Sequence, residues 1–360
     1  MAGTEDRIIS ADDHMDLHAM PADVWEARLP SELVERGPRV AETDDGPVWH
    51  LDGRPLMPHG RKPGGLIERH AHGLRPSTPE LRLEDMDRDN VHTHVIYGPP
   101  GSLRFKDKDL QTAVYVAYND WGAEFNAHDP NRLVLLPLMP SHDGAVAAAE
   151  LERCIAMNHR GCLIDEHIVE PPLWDESWHR FWDVANEASV AVSVHLGGGL
   201  RSIKPRRNSW TFPAMVSIIP MQLDEIIVGM IFSGVLESRP NVHLVLGESG
   251  LGWIPYVLDR MDHEHHNYYE KTEDHRLSMT PRELFARQVI ATFEEDDLGL
   301  TLIEHIGADN VCWASDYPHG DSTWPNSMDA IMKTQLGKLS PDVRAKIIHD
   351  NAARVYGIDV

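Results

Sequence analysis

The sequence predicts a closed (β/α)₈ barrel of the TIM type, in which parallel strands and helices alternate along the chain. Eight short runs rich in Val, Ile and Leu recur, longer amphipathic stretches lie between them, and the apolar runs lack regular polar alternation. Strands of a parallel sheet show such runs because helices cover both faces of the sheet. A doubly wound open sheet is the alternative fold, but no G-x-G-x-x-G follows the first strand.

The predicted elements follow one another in the order that a barrel requires. Strands are predicted at residues 7–12, 93–98, 133–139, 161–165, 190–195, 242–248, 289–293 and 311–316. Helices are predicted at residues 109–127, 144–158, 173–188, 216–238, 253–270 and 297–306. This alternation favours a parallel sheet whose strands are joined by crossover helices.

The helical pattern at 173–188 carries an aromatic stripe. Its apolar positions recur at i, i+4, i+7, i+8 and i+11 and are occupied by Trp174, Trp178, Phe181, Trp182 and Ala185. This spacing puts the side chains on one face of a helix, so we expect them to pack in the core rather than to form a binding surface.

A long segment, 15–79, separates the first strand from the first regular helix. Within it, Asp52-Gly53 lies between two short apolar runs, which predicts a hairpin turn. The remainder is rich in Gly and Pro, which is typical of an ordered excursion or lid on the rim of a barrel. We therefore expect residues 1–360 to form one elaborated domain with a rim insertion.

Composition and charge exclude several classes of partner. The chain is 42% hydrophobic and 25% charged, and its 33 Lys and Arg against 57 Asp and Glu give a net charge of −24. Such a surface repels phosphate backbones and anionic lipids, so we expect no nucleic-acid or membrane partner. A small-molecule substrate is the expected ligand.

The cysteines and the N-terminus bear on the compartment. Cys154, Cys162 and Cys312 form no CxxC pattern, which indicates thiols in the core of a protein from a reducing compartment. The first ten residues lack an apolar signal region, and no apolar run approaches 18 residues. A cytoplasmic protein without a membrane span is therefore expected.

Polar residues end four of the eight predicted strands, where TIM barrels hold their catalytic groups. Asp12 and His14 end the first strand in a D-x-H pattern and point to the same side. His195, Glu248 and Asp316 end the fifth, sixth and eighth strands. Because a barrel brings its strand ends to one axis, these imidazoles and carboxylates predict a site for Zn²⁺, Mn²⁺ or Fe²⁺.

Residues near these strand ends are candidate substrate contacts. The basic side chains after His195 are Arg201, Lys204, Arg206 and Arg207, which could bind a substrate carboxylate or remain solvated. Trp210, Phe212 and Tyr97 could form an aromatic wall. His319 is a candidate electrophile or a residue that holds its own loop. The His-rich run at 261–270 fails the H-E-x-x-H pattern and is expected to be solvated or a subunit contact.

Five stretches along the chain carry a family resemblance. They are IISADDHMD, PLWDESWHRFWDVANEASVAVSVHLGGG, PNVHLVLGESGLGWIPYVLDRMD, NVCWASDYPHGDSTWP and IIHDNAARVYGI. In this order they resemble the amidohydrolase superfamily, in the branch of aminocarboxymuconate-semialdehyde decarboxylase and related aromatic-acid decarboxylases. The resemblance implies a (β/α)₈ barrel and a homo-oligomer, a dimer or a tetramer.

The resemblance also implies a ligand set. Asp12, His14, His195 and Asp316 match the ligands of one divalent ion, with zinc the first expectation, and GCLIDEH lacks the Lys that holds a second metal. The decarboxylases of the branch have His where this chain has Glu248, which shifts the expected reaction from decarboxylation to hydrolysis.

The main prediction is a hydrolase in which metal-activated water attacks a C–N or C–C bond next to a carbonyl in a small carboxylate or aromatic substrate. Asp316 would accept the water's proton, Glu248 would act as acid or base or as a hydrogen-bonded support, and His319 would assist. One alternative is a nonoxidative decarboxylase of an aromatic or unsaturated acid. The other is a barrel that binds a metal or ligand without turnover.

Overall fold

The computed structural model describes residues 7–62, 64–197, 202–204, 206, 208–272 and 277–359. The strands in chain order are β1 (Ile8–His14), β2 (Arg39–Thr43), β3 (Gly46–Leu51), β4 (Arg54–Pro58), β5 (Arg69–His70), β6 (Gly73–Leu74), β7 (Val91–Tyr97), β8 (Leu133–Leu135), β9 (Gly161–Leu163), β10 (Ala191–His195), β11 (His243–Gly247), β12 (Val289–Phe293) and β13 (Val311–Trp313).

Short and long helices alternate with these strands. They are α1 (Pro79–Asp89), α2 (Lys108–Asn126), α3 (Gly144–Ala156), α4 (His179–Ala188), α5 (Thr211–Val216), α6 (Asp224–Phe232), α7 (Ile254–Asn267), α8 (Pro281–Gln288), α9 (Asp297–Thr301), α10 (Ile303–Ile306), α11 (Ser327–Lys333), α12 (Pro341–Ala345) and α13 (Asn351–Tyr356).

Eight parallel strands form the barrel. They pair in the orders β1-β7-β8 and β13-β12-β11-β10-β9. A parallel bridge between Leu138 and Leu163 joins the two sheets. On the opposite side, His14 N donates to Tyr317 O at 2.7 Å and Asp316 N donates to Asp12 O at 3.2 Å, which closes the barrel. The predicted fold class is confirmed.

Each predicted strand overlaps an observed barrel strand, and the differences lie at the ends. The eighth strand ends at Trp313 rather than at residue 316, and Asp316 has φ +58°, which an extended strand does not allow. The third ends at Leu135, two residues before Pro137, which has no N–H to donate to a ladder. The prediction at 289–293 matches β12 in full.

Several helix predictions were wrong in extent. The helix predicted at 216–238 is divided into α5, a 3₁₀ turn at Ile219–Leu223 and α6, because Pro220 interrupts the backbone hydrogen bonds. The helix predicted at 297–306 is divided into α9 and α10. The helix predicted from residue 173 begins at His179, after a 3₁₀ turn. Its aromatic stripe is core as expected, with only Trp174 partly exposed.

The rim insertion forms an antiparallel sheet of β2, β3 and β4. The predicted hairpin is confirmed, with Asp52 and Gly53 both at positive φ between β3 and β4. Trp49 is fully buried against Trp25, whose Nε1 donates to Val114 O of α2 at 3.0 Å. The insertion therefore shares its core with the barrel's outer helices.

The end of the insertion packs on the loop that follows β13. Leu66 N donates to Pro318 O at 2.9 Å. Gly320 lies so close that a Cβ built on it would approach Gly64 O to 1.8 Å. The two loops therefore pack backbone against backbone at Gly64 and Gly320, with no room for a side chain at Gly320.

One described segment, Thr211–Phe232, is long and apolar enough to cross a membrane by length and composition alone. It is not an uninterrupted apolar run, because it contains Gln222, Asp224 and Glu225. The segment is broken into short helices, and only 28% of its most apolar window is buried. Length and composition are weak evidence by themselves, because core helices of soluble proteins share them.

Candidate metal centre and active site

The ends of four barrel strands place their polar side chains around one point. Asp12 and His14 belong to β1, His195 ends β10, Glu248 follows β11, and Asp316 follows β13. Ligand atoms of His14, Glu248, Asp316 and His319 all lie within 4.8 Å of one another, and so do those of Asp12, His14 and His195. His14 belongs to both groups, so the strand ends form one continuous cluster.

The interatomic distances suit ligands of one ion. His14 Nε2 lies 2.9 Å from Asp316 Oδ1, 3.0 Å from Glu248 Oε1 and 3.8 Å from Asp12 Oδ1. His195 Nε2 lies 3.7 Å from both Asp12 Oδ1 and Glu248 Oε1. Ligand atoms about 2.0–2.2 Å from a common ion are separated by about 3–4 Å.

Three buried atoms of the predicted ligands make no hydrogen bond in the described structure. They are Asp12 Oδ1, His195 Nε2 and Asp316 Oδ1. Such atoms cost about 1–3 kcal/mol each when they lack a partner, and metal coordination removes this cost. The residues present therefore fit a divalent metal ion.

The remaining atoms of two ligands are held by hydrogen bonds that leave the first atoms available. Asp12 Oδ2 accepts from Glu248 N at 2.8 Å and from Thr292 Oγ1 at 2.7 Å. His195 Nδ1 lies 2.7 Å from Leu196 O, and because a carbonyl can only accept, Nδ1 carries the proton. His195 Nε2 then keeps its lone pair, the form in which imidazole binds metals.

Two site residues have backbones that sequence patterns do not reveal. Glu248 has φ +48° and Asp316 has φ +58°, both in the left-handed region. Non-glycine residues there cost about 1–3 kcal/mol each and are concentrated at functional sites. These conformations let the chain turn sharply at the end of a strand while the carboxylates remain beside His14.

A chain of polar contacts leads from Asp316 to the rim insertion. His319 Nδ1 lies 3.0 Å from Asp316 Oδ2, and His319 Nε2 lies 3.3 Å from Asp16 Oδ2. Lys62 of the insertion donates to the same Asp16 oxygen. The rings of His319 and His14 stack with centroids 4.0 Å apart. His319 thus touches the cluster and also holds its loop.

The carboxyl groups of Glu248 and Asp316 both face His14, but their pKa values are shifted in opposite directions. Burial opposes ionisation of Glu248, but attraction to His195 and hydrogen bonds to His14 and His319 hold its pKa well below its usual range. Burial, reinforced by the charge of Glu248, raises the pKa of Asp316. Glu248 is therefore the anionic partner of the histidines, and Asp316 carries a proton more readily.

A fully buried polar network lies beneath β1, and sequence reasoning missed it. Arg82 of α1 donates to His14 O through Nη2, and its Nη1 lies 3.3 Å from His94 Nδ1. Asp13, between the two predicted ligands of β1, accepts from Ser315 Oγ at 2.6 Å and from Tyr317 N at 3.2 Å. The network therefore joins β1 to the segment that carries Asp316.

A cavity of about 210 Å³ opens beside the cluster. His14, His195, Glu248 and His319 of the cluster are among the residues that line it. Its walls are mostly apolar and come from Tyr97, Gly98, Pro99, Leu163, Ile164 and Leu196. Polar side chains of Ser102, Arg104, Asp165 and His167 line the cavity as well.

Of the described residues predicted to contact substrate, only Tyr97 lines the cavity. Tyr97 lines the cavity, whereas Arg206 and the 74%-exposed Trp210 do not. Arg206 and Trp210 are both exposed to solvent. Arg201 and Arg207 lie outside the described residues. The described cation at the cavity is Arg104, which follows β7 in an unremarkable stretch of sequence.

Comparisons with known proteins agree with this architecture. A family model described as Amidohydrolase matches residues 67–358. The chain is 23% identical over 331 residues to gamma-resorcylate decarboxylase of Rhizobium radiobacter, which covers 83% of this chain and 93% of that protein. It is 24% identical over 290 residues to 2-amino-3-carboxymuconate-6-semialdehyde decarboxylase of Dictyostelium discoideum, over 78% of this chain and 77% of that protein.

Solved structures share the fold over nearly the whole chain. An amidohydrolase of Mycobacterium avium subsp. paratuberculosis superimposes with a TM-score of 0.79 at 21% identity, over 98% of this chain and 99% of that one. A dihydroxybenzoic acid decarboxylase of Polaromonas, with bound manganese and the inhibitor 2-nitroresorcinol, gives a TM-score of 0.66 at 18% identity, over 98% and 97% of the two chains.

Proposed function

The chain belongs to the amidohydrolase family, and from this membership we propose that it is a metal-dependent, nonoxidative decarboxylase of a small aromatic acid. The observation that carries the proposal is the similarity to decarboxylases over 83% and 78% of the chain. It favours the alternative stated from the sequence over the hydrolase, for which Glu248 was the main argument. The chain is an enzyme of this superfamily in either case.

We propose that Asp12, His14, His195 and Asp316 hold one divalent ion. The ion would supply a Lewis acid that orients the substrate's oxygen atoms and draws electron density from the ring. Manganese in the Polaromonas enzyme extends the expectation beyond zinc, since nitrogen and oxygen ligands accept several divalent ions.

The cavity walls suit the loss of CO₂. Decarboxylation breaks the bond between the ring carbon and an anionic carboxylate and releases a neutral molecule. Apolar walls from Leu163, Ile164 and Leu196 exclude water and so favour the neutral product over the charged reactant. The electron pair left on the ring carbon must then take up a proton.

His319 and Asp316 are the proposed source of that proton. His319 lines the cavity, and its Nδ1 shares a hydrogen bond with Asp316 Oδ2. Asp16 on the far side of the ring fixes the orientation of His319. Glu248 remains ionised and orients His14, whose Nε2 lies 3.0 Å from Glu248 Oε1.

Measuring both CO₂ and ammonia tests the proposal. Metal-loaded protein is incubated with 2,6-dihydroxybenzoate, 5-carboxyvanillate and the matching benzamides. We expect CO₂ from an acid, loss of activity with a chelator, and recovery on adding Mn²⁺ or Zn²⁺. Asp316→Asn should lower kcat/KM at least about 100-fold, because the proton donor is lost.

Asp329→Asn is the matched control, since Asp329 is exposed and pairs only with Lys333 in the described structure. It should retain wild-type activity. Ammonia from an amide without CO₂ from any acid would instead establish the hydrolase. Protein that binds no stoichiometric divalent ion would refute both reactions.

Two further expectations concern the assembled protein. A small-molecule substrate agrees with the inhibitor bound in the Polaromonas enzyme. The dimer or tetramer and the cytoplasmic location stay predictions. Light scattering on the purified chain would measure the first.

A further inference from the structure

The described part of residues 60–66, which we call the bridging segment, joins the rim insertion to two loops at the carboxyl ends of the barrel strands. Gly60 N donates to His18 O at 2.7 Å, which attaches the segment to the loop after β1. Leu66 N donates at 2.9 Å to the carbonyl of the residue that precedes His319, in the loop after β13. The bridging segment is therefore a neighbour of the proposed proton donor.

A lysine of the bridging segment reaches the same donor through one carboxylate. Lys62 Nζ donates to Asp16 Oδ2. The same oxygen lies 3.3 Å from His319 Nε2. The side chains of Lys62 and Asp16 are 23% and 22% exposed, so solvent screens their attraction only in part. A cation of the insertion and an imidazole beside the metal cluster thus share one carboxylate oxygen.

The contact between His319 and Asp16 constrains the ring only weakly by itself. His319 Nε2 is buried, and its 3.3 Å contact with Asp16 Oδ2 does not have the alignment of a hydrogen bond. On the other edge of the ring, Nδ1 lies 3.0 Å from Asp316 Oδ2. Because a poorly aligned contact has little directional force, the orientation of the ring depends on where the Asp16 carboxylate is held.

The carboxyl groups around His319 explain why Asp16 needs a cation of its own. The ring nitrogens lie 2.9 Å from Asp316 Oδ1, 3.3 Å from Asp16 Oδ2 and 3.6 Å from Glu248 Oε1. Even with Asp316 assigned to the proposed ion, the carboxylates of Asp16 and Glu248 share one imidazole. Like charges repel each other, and the attraction to Lys62 opposes this repulsion at Asp16.

The stem of Lys62 is held in place as well. Gly65 N donates to Lys62 O at 3.0 Å. A Cβ built on Gly65 would lie 3.1 Å from both Cβ and Cδ of Lys62, so the stem already packs against Gly65. An exposed ion pair is weak largely because two long side chains must be ordered to form it. Packing of the stem removes part of that entropic cost for Lys62.

We propose that Lys62 is a positioning residue for the proton transfer that follows loss of CO₂. Its ammonium fixes the Asp16 carboxylate, and Asp16 holds the His319 ring toward the cavity. His319 then gives a proton to the ring carbon that has lost CO₂ and regains one from solvent. The inference rests on the proposed decarboxylase function for this step, and it gives the rim insertion a part in the reaction.

Lys62→Met tests the role, because it removes the charge and keeps an unbranched stem. With the acid that releases CO₂ in the test of the proposed function, kcat per bound metal ion should fall about 10- to 100-fold, as for a reacting group misplaced by about 1 Å. KM should change less than about threefold, since Lys62 does not line the cavity. The dissociation constant for Mn²⁺ should change by less than the about 10-fold that loss of a ligand's own hydrogen bond causes.

Two further variants separate the charge at this position from the seating of the insertion. Arg61→Gln is the matched control, because the neighbouring Arg61 donates to Asp45 O at 2.9 Å, in the turn between β2 and β3. It should keep kcat within about twofold of the wild type, as surface substitutions usually do. Lys62→Arg keeps the positive charge but not the shape of the lysine, so it should recover kcat to within about fivefold of the wild type.

Nuclear magnetic resonance of ¹⁵N-labelled histidine gives a readout that does not depend on turnover. The zinc-loaded protein is used because Zn²⁺ has a filled d shell and does not broaden the signals. His319→Gln identifies the imidazole signals of His319 by their loss. These signals should shift in Lys62→Met, because the ring loses its fixed orientation, and should remain unchanged in Arg61→Gln.

The two proposals fail in different ways. His319 signals that respond to Lys62→Met, in a protein that releases CO₂ from no acid, would support the positioning role and refute the proposed function. A kcat within twofold of the wild type in Lys62→Met, or His319 signals that do not change in it, would overturn the positioning role. An equal loss in Arg61→Gln, or a loss that Lys62→Arg does not reduce, would overturn it as well.

Discussion

The two sides of the metal centre are supported in different ways. On the side of β1 and β13, the fully buried Arg82, Asp13 and Ser315 tie the ligand-bearing segments together. On the side of β10, His195 is oriented through the carbonyl of its own neighbour, Leu196, and the next residue, Gly197, is exposed. The difference teaches that a buried polar network holds the ligands at the closing seam of the barrel, whereas one local hydrogen bond orients the ligand on β10.

Removal of the buried Arg82 guanidinium should cause the largest loss, a fall in the stability of the closing seam. Arg82→Met leaves His14 O and His94 without this donor inside the barrel and removes a positive charge that favours the ionised form of Asp13. We expect the free energy of unfolding to fall by about 3–5 kcal/mol, as when one partner of a buried ionic group is removed. Urea denaturation measures the change.

Arg88→Met is the matched control on the same helix. Arg88 is 55% exposed, pairs with Asp85 and lies over Trp324. Its loss should cost less than about 1 kcal/mol. Equal losses for the two variants would mean that the buried network does not stabilise the seam.

Two glycines near the metal ligand His195 differ in how closely other atoms pack around them. A Cβ on Gly247 would approach His195 Cδ2 to 2.6 Å and Asp12 Oδ2 to 3.1 Å, whereas a Cβ on Gly197 would meet no atom within 4 Å. Gly247→Ala should therefore weaken metal binding about 10-fold by displacing the imidazole. Gly197→Ala should leave the affinity within about twofold. Titration against a competing chelator compares them, and a larger effect at Gly197 would contradict the closer packing around Gly247.

The smallest expected effect is a pH dependence at the end of α1. Asp89 accepts from Ser327 N at 2.8 Å and from Ser327 Oγ at 2.5 Å, and burial raises its pKa to about 6 from the ordinary 3.8. Between these values the folded state keeps a proton that the unfolded chain has released. The stability from this group is thus complete below pH 3.8 and is lost as the pH rises through about 6.

Comparing Asp89→Asn with the wild type isolates this contribution, because asparagine does not titrate. The difference in unfolding free energy, wild type minus variant, should decline by about 1–2 kcal/mol between pH 4 and pH 7. The exposed Asp329→Asn should show no such decline. A difference that grows with pH would contradict the raised pKa.

The barrel was predictable because it depends on patterns that recur along the chain. Apolar runs without alternation marked all eight strands, and the polar residue at the end of a run identified where β1, β10 and β13 meet. The extents of the helices were harder to predict from the sequence. The amphipathic spacing at 216–238 predicted one helix, and Pro220 divides it. α8 was missed, although its capping box of Thr280 and Glu283 and its Pro281 are a local signal of a helix start.

The residues that line the cavity could not be predicted from the sequence in the same way. Arg104 and Asp165 are 61 residues apart, and nothing local marks either as a cavity residue. Arg82 lies in a helix rich in charged residues, and its complete burial follows from the packing of α1 against β7 and of the guanidinium against the end of β1. Contacts of this kind depend on which loops the barrel brings together, which is a property of the tertiary fold.

The contact between Gly64 and Gly320 has a consequence for redesign of the enzyme. Because no side chain fits between these two backbones, the insertion and the loop after β13 must be altered as a pair. A single substitution at Gly320 would push the loop that carries His319 toward the cluster or force the insertion off the barrel. Engineering the cavity for larger acids is therefore best begun at Gly101 and Gly197 instead. A Cβ added at either position meets no atom within 4 Å.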